Sequence, residues 1–403
     1  MLNYQYVARN PSTGQKVSSD VEADSEAAAI RLIRSEGLVP VDIKLGKSAT
    51  TTNRFARVSA KDRVLFSRQL STLINAGLPL VQSLRNVNLQ TTNKQLRAVS
   101  GKVIADVEAG TTLSTAMSRH PKVFNKVYIS MVAAGEVSGT LDMSLVRLAD
   151  QQEKDADIVS KVRGAMIYPL IVLVVMAIVM GFMLVKVLPQ VQVLYDGFPG
   201  AELPLVTKIL LALSALLSKF WWIVLIVAVV LSAVLGKWAN TGPGREVFDK
   251  LKMRSPLIKG LFMKMYMARF SRTGSTLVSS GVPLLQMLDI TGDAVNNIHV
   301  KRSIDKAVEK VKGGKSLADS IDGDPSFLPL LPNMLRIGEQ SGSIEQMLVK
   351  TADYYEKEVD NEIKNVQTII EPVLMVVLGI VAFIIVAAVL LPVYGLAGKS
   401  FTV

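Results

Sequence analysis

The chain has 403 residues, half of them hydrophobic and a fifth charged, with a mean hydropathy of +0.36 and a formal net charge of +11. Half apolar is too much for a disordered chain, and a fifth charged is too little for a coiled-coil rod. Cysteine is absent and only two histidines occur, His120 and His299, so disulfide scaffolds, thiolate metal sites and cysteine nucleophiles are excluded. Positive hydropathy beside a pI near 9.6 points to very apolar segments set into basic soluble regions.

The first 48 residues read as a small α+β module. YQYVA, a turn-prone NPSTGQ and VSSDVEA alternate as a hairpin would. Ser25 with Glu26 opens a helix that ends at Gly37, and residues 39–45 follow as a last strand. The start, MLNYQYVARNP, has no basic region leading into an apolar core, so no signal peptide is expected. Residues 49–58 form a polar linker.

Residues 59–165 read as helical. Ser59 with Asp62 resembles a capping arrangement, and Val64, Leu65, Leu70, Leu73 and Ile74 then recur at helical spacing. Gly77 suits the position just past that helix, where φ is positive. Pro79 suits the first turn of the next helix, where its missing N–H costs nothing. Further on, Gly135, Glu136, Ser138 and Gly139 make a GExSG segment.

Three stretches have membrane character: residues 166–188, 218–236 and 372–392. The first and third hold the ~20 apolar residues a spanning helix needs. The second has 17 uncharged residues from 220 to 236, and the apolar segment 210–217 ahead of it can lengthen the helix, with Lys219 either snorkelling or marking a break. Residues 189–217 read as an external loop and 393–403 as an external tail. Of 45 basic side chains, 41 lie in residues 1–165 and 237–371, which places both regions, and the N-terminus, on the cytoplasmic side. The C-terminus then emerges outside. The positive balance is thus a record of topology. Aromatics are 6% of the chain and are not interleaved with the basic residues, so no nucleic-acid partner is expected. Basic surface beside anionic lipid fits the same distribution.

Residues 237–371 repeat the first helical region. Residues 66–84 and 270–288 are identical at 11 of 19 positions at a constant offset of 204. Gly281 and Pro283 match Gly77 and Pro79. After a one-residue slip, Gly338, Glu339, Ser341 and Gly342 match the first GExSG, and Pro372 matches Pro169. The period is far longer than a solenoid's, so a whole domain is duplicated in tandem. Apolar positions from Ile344 to Ile370 keep a helical stripe up to the third span, so helix and span read as continuous.

Candidate chemistry is sparse. Gly314-Lys315-Ser316 has the end of a phosphate-binding loop, but Glu309 stands where that loop needs glycine. The segment reads as a helix–helix turn. Each GExSG reads as a tight turn whose serine caps the following helix. A second reading makes Glu136 and Glu339 a partner contact or a cation site. Pro169 and Pro372 are candidate kinks or hinges where bundle meets span. No charge falls mid-span, which argues against an ion-coupled transporter. No catalytic set, metal-spaced cluster or dinucleotide fingerprint is present, so neither enzyme activity nor a metal or other cofactor is expected.

The paired FSR…GxPL…L segments, the two GExSG segments, three spans and Glu202-Leu203-Pro204 with Thr207 together resemble the type II secretion system F family. These are inner-membrane platform proteins of type IV pilus and type II secretion machines. The resemblance covers nearly the whole chain. It implies a mostly α membrane protein with two tandem cytoplasmic six-helix bundles. It also implies a non-enzymatic homo-oligomer in the bacterial inner membrane. The partners implied are a cytoplasmic hexameric assembly ATPase, pilin or pseudopilin subunits and other inner-membrane assembly proteins. Movement driven by that ATPase would lift pilins into a filament. Pseudopilus platforms for secretion or DNA uptake are the alternative, and a membrane transporter is a distant third. By position Gly77, Pro79, Gly135, Glu136, Gly139, Gly281, Pro283, Gly338, Glu339 and Gly342 match the family pattern. Thr273-Gly274 departs from Gln69-Leu70 of the first repeat, and glycine there weakens a helix by ~1 kcal/mol. Glu136 and Glu339 are expected at the ATPase-facing or inter-domain surface.

Overall fold

The computed structural model describes residues 2–9, 16–23, 25–35, 39–45, 58–196, 205–239, 241–256 and 258–400. The expected turn NPSTGQ, most of the linker and Glu202-Leu203-Pro204 lie outside them. In the N-terminal part, β1 (Leu2–Arg9), β2 (Lys16–Ala23), α1 (Glu26–Ser35) and β3 (Val39–Leu45) follow one another. The strands are antiparallel in the order β2-β1-β3, and the buried Ala29 of α1 packs beside Ile43.

The first repeat is six helices: α2 (Ala60–Asn75), α3 (Leu80–Gln90), α4 (Lys94–Glu108), α5 (Leu113–Ser118), α6 (Lys126–Ser138) and α7 (Leu141–Ala165). Ser59 and Asp62 form a full capping box at 3.1 Å in each direction, so the chain enters α2 at a fixed angle. Gly77 takes φ +84° and Gly281 takes φ +82°, past the ends of their helices. Pro79 and Pro283 sit one residue earlier than expected. Each is the extended residue just before the helix, with ψ near 143–144°, where a ring-locked φ is equally at home.

The second repeat has the same six: α12 (Lys259–Ser279), α13 (Leu284–Val295), α14 (Ile298–Lys312), α15 (Leu317–Ile321), α16 (Leu330–Ser341) and α17 (Ile344–Ser400). Gly314, at φ +87°, turns the chain between α14 and α15, as Gly110 does at φ +90° in the first repeat. One hydrophobic core runs through both repeats, including Phe66, Tyr128, Phe270 and Leu348.

Between the repeats lie α8 (Ile167–Phe182), a π-turn (Met183–Val187), α9 (Leu188–Asp196), α10 (Leu205–Ala239) and α11 (Gly242–Arg254). Among the described residues two helical runs are long and apolar enough to cross a membrane: Leu141–Gln190 and Ile344–Leu390. Their apolar residues face outward, with Leu170 62% and Phe383 73% exposed, a surface that belongs in lipid and not in water. The expected external loop is largely helical, because 205–219 carries leucines, alanines and lysines with no proline or glycine to stop it. A break does occur beside Lys219, where Phe220 leaves helical geometry (φ −123°, ψ 23°). The expected tail is helical too, since α17 runs on to Ser400.

The two junction prolines differ. Pro169 lies just past a slight departure from regular geometry at Met166, between α7 and α8. Pro372 lies inside the uninterrupted 57-residue α17, so no break in the helix accompanies it.

The π-turn has a local cause. Proline at 189 has no N–H to close a helical bond. Leu188 N–H bonds instead to Met183 O, five residues back, which leaves the Leu184 carbonyl without a backbone donor. Ser214 of α10 supplies one, its buried hydroxyl donating to that oxygen at 2.5 Å. Replacing Ser214 by alanine orphans a carbonyl in apolar surroundings. A loss of about 1 kcal/mol is expected, read as a lower unfolding midpoint of purified protein in detergent. Ser214→Thr, which keeps the donor, should lose less.

Candidate functional site

The two GExSG segments were expected to be turns, and most of each is helix. Gly135 and Glu136 lie within the last turn of α6, and Gly338 and Glu339 within that of α16. Only Gly139 (φ +71°) and Gly342 (φ +69°) take the left-handed conformation that ends the helix. The first glycine of each motif serves packing. A Cβ on Gly135 would stand 2.7 Å from Ser144 Oγ, and one on Gly338 would stand 2.9 Å from the Ile344 Cα. Each helix therefore folds back tightly on its successor.

The glutamates point into their own repeat. Glu136 accepts hydrogen bonds from the Leu113 N–H, from the Ser114 N–H at 3.0 Å and from the Ser114 hydroxyl. Glu339 accepts from the N–H groups of Leu317 at 2.5 Å and Ala318 at 3.0 Å. Each carboxylate thus satisfies unpaired donors at the start of the short helix α5 or α15, where a negative charge is favoured. Both sites fall between their repeat's own helices, and the carboxylates are already engaged. The serines do not cap the next helix. Ser138 and Ser341 each donate to the carbonyl four residues back, at 2.7 Å, because they end a helix and that oxygen is in reach.

A second constellation was not anticipated. Arg68, third residue of the FSR motif, clasps α7 from α2. Its Nε donates to Glu153 at 2.6 Å and its Nη2 to Asp150 at 2.5 Å and Glu153 at 2.6 Å. Arg272 repeats the clasp between α12 and α17, with Glu356 at 2.7 and 2.9 Å and Asp353 at 2.5 Å. A signal existed: Asp150 and Glu153 match Asp353 and Glu356 at the same offset of 203 that relates the GExSG segments. The hydrogen bond from Arg68 holds the Glu153 carboxyl below its usual range, against the opposing pull of burial. At Arg272, burial disfavours the charge, but Glu356 and then Asp353 outweigh it and raise the guanidinium further.

The repeats then dock on each other through α7. Arg147 donates to the Ser279 carbonyl at 2.5 Å and Gln151 to the Thr273 hydroxyl at 2.8 Å. Asp155 pairs with Arg269 at 2.6 Å and Lys161 with Asp360 at 3.0 Å. From α6, Lys126 reaches Asp293 at 2.6 Å. Thr273 and Gly274, the departure from the first repeat, both have a use. Thr273 receives Gln151, and Gly274 lets Met287 and Leu348 approach to within 3.4 Å of where a Cβ would be. A cleft of about 550 Å³ opens between the repeats, lined by Arg147, Asp150, Glu153, Lys154, Arg272 and Glu345 among others. Among the described residues no group of three or more histidine, aspartate or glutamate side chains is placed to hold a metal ion. The geometry is that of an inter-repeat contact built from ion pairs and hydrogen bonds.

Comparison with known proteins agrees with this architecture. The family described as type II secretion system (T2SS), protein F matches residues 66–189 and again 270–392. Both matches begin on the phenylalanine of an FSR motif. The N-terminal domain of the same family matches residues 1–44. A type IV pilus assembly protein PilC of Thermus thermophilus is 39% identical over 402 residues, covering 98% of either chain. A PilC of Myxococcus xanthus is 38% identical, covering 96% of this chain and 93% of its own. A type II secretion system protein F of Pseudomonas aeruginosa is 33% identical, covering 98% and 99%. The chain belongs to the type II secretion system protein F family.

Two outcomes follow from the clasps. Arg272→Ala should lower stability by about 2 kcal/mol and Arg68→Ala by about 1, because Arg272 is 20% exposed and Arg68 33%. Denaturant unfolding of the two variants measures the difference. A carboxylate with a depressed value adds stability above its ordinary value and loses it as pH falls. The unfolding midpoint should hold from about pH 8 to 5 and drop below the ordinary glutamate value of 4.5. Arg68→Ala should make that drop shallower.

Proposed function

We infer that this chain is a multi-pass platform of a pilus-assembly machine in the bacterial inner membrane. It links a cytoplasmic assembly ATPase to the extraction of pilins from the bilayer. One observation carries the reading beyond family membership: α17 is a single helix from the core of the second bundle into a segment apolar enough to span the membrane. A push on that bundle is carried along a rod into the lipid. The first bundle reaches its apolar segment through the helical run Leu141–Gln190, which departs slightly from regular geometry at Met166 (φ −84°, ψ −9°).

On this reading the chain crosses three times, the second crossing being the part of α10 after Phe220. The N-terminal α+β module and both bundles are cytoplasmic, and the C-terminus is external. Pilins, other inner-membrane assembly proteins and further copies of the chain surround it, and anionic lipid meets its basic faces. Gly135, Glu136 and their second-repeat counterparts act by holding the bundle surface in shape from within. Gly77, Pro79, Gly281 and Pro283 set the first turn of each bundle. The PilC relatives of Thermus and Myxococcus, at 39% and 38%, are more similar than the secretion protein at 33%, although another pilus assembly protein is at 32%; we take the first two as favouring filament assembly.

A strain lacking this chain should lose surface filaments, as imaged by electron microscopy, while secreting its usual exoproteins. Filament retention with loss of secretion would move the assignment to the secretion platform. Topology is tested separately. A cysteine at position 399 should react with a membrane-impermeant maleimide in intact spheroplasts, and one at position 315 only after lysis.

A further inference from the structure

The packing of the first repeat on the second is one-sided, and this leaves each repeat with an unused half. The first repeat presents α6 and α7, and the second receives them on α12, α13 and α17. Because the two repeats share one fold, the second repeat carries its own presenting face on α16 and α17. The first carries its own receiving face on α2, α3 and α7. Covered on one side by the first repeat, α12 buries most of its residues, whereas α2 buries only Phe66, Ser67, Leu70 and Ser71.

The exposed residues on those two faces match. Where Lys126 meets Asp293 inside the chain, the counterparts are Pro329 and Leu89, so both charges are gone together. Leu89 is 76% exposed and brings an apolar side chain to this face. Where Gln151 meets Thr273, the counterparts are Tyr354, 48% exposed, and Gln69. Where Lys161 meets Asp360, they are Lys364 and Asp157, a cation and a carboxylate again. Lys154 and Glu356 become Lys357 and Glu153. One further ion pair has no oppositely charged counterpart. Asp155 and Arg269 correspond to Glu358 and Leu65, and Glu358 is already held by Lys264 at 2.9 Å. Leu65, 54% exposed, therefore needs no partner charge and adds to the apolar patch.

We propose that a second copy of this chain docks the α16–α17 face of its second repeat on the α2–α3 face of the first repeat. The contact reproduces the one already made within each chain. It is heterologous, so it propagates head to tail and closes into a ring or continues as an open row. The membrane permits this. Within one chain the operation that carries α7 onto α17 takes one membrane-bound helix to another with the same direction, so repeating it keeps every copy in the bilayer. The proposal deepens the oligomeric part of the platform reading and rests on it only for the setting.

The absence of cysteine makes the test direct. Leu89→Cys and Pro329→Cys are placed in separate, differently tagged full-length copies, co-expressed, and treated in membranes with a short bis-maleimide. A cross-linked dimer bearing both tags is expected, with at least a tenfold lower yield from either variant expressed alone. Lys126→Cys with Asp293→Cys in one chain is the control for reagent reach, and should cross-link within the monomer. Lys364→Asp in the Pro329→Cys copy should cut the mixed dimer several-fold, and Asp157→Lys in the Leu89→Cys copy should restore it. No mixed dimer alongside a reactive control overturns the proposal. So does an equal yield from Leu89→Cys alone, which would mark a symmetric contact. Neither result touches the platform assignment, which stands or falls with the filament phenotype of the deletion strain.

Discussion

One guanidinium in each repeat ties the first helix of the bundle to the last. The partners lie 82 to 85 residues apart in the first repeat, so a whole bundle is closed by a single side chain. The forked geometry of arginine suits the task, because it can hold two carboxylates one helical turn apart at once. The consequence reaches past the bundle. Its last helix is also the one that runs toward the membrane, so the clasp sets where the bundle stands relative to the lipid. In the second repeat the helix beyond the clasp is unbroken for 57 residues. In the first it departs slightly from regular geometry at Met166, three residues before Pro169.

Duplication supplied identical parts, and the divergence between them is concentrated where they touch. The clasps, the glutamate caps and the left-handed glycines are shared by both copies. The contact surfaces are shared only in part, in the lysines and carboxylates of the last helix. Asp293 and Arg269 face the other repeat and carry charge, while Leu89 and Leu65 at the matching positions are exposed and apolar. Gly274 weakens its helix locally, yet α12 buries more residues than any other helix of the bundle and gains close packing against Met287 and Leu348. Divergence of this kind follows from tandem arrangement. Two copies docked face to flank cannot both use the same side.

Several polar groups are satisfied by atoms distant in the chain. Glu136 reaches back 22 and 23 residues to open N–H groups, and Ser214 reaches 30 to the carbonyl that the π-turn frees. In a bundle with short helices, and in a span without water, such donors and acceptors have few other partners. These bonds make the fold specific as much as stable.

Much of this was legible beforehand. The duplicated domain, the helical character of residues 59–165, the capping box at Ser59, the continuity of the last helix with its span and the left-handed glycines follow from composition, periodicity and repetition. All of those depend on near neighbours or on one stretch resembling another. Expectation failed where the local signal was ambiguous. A glycine either turns a chain or admits a close neighbour, and Gly135 does the second. The chain alone determined what each segment is and, through its apolar runs and basic flanks, that it is built for a membrane. Only the tertiary structure decided what Glu136, Arg68 and Ser214 are for. Their partners are fixed by how helices pack in space, and no rule of spacing along the chain connects them.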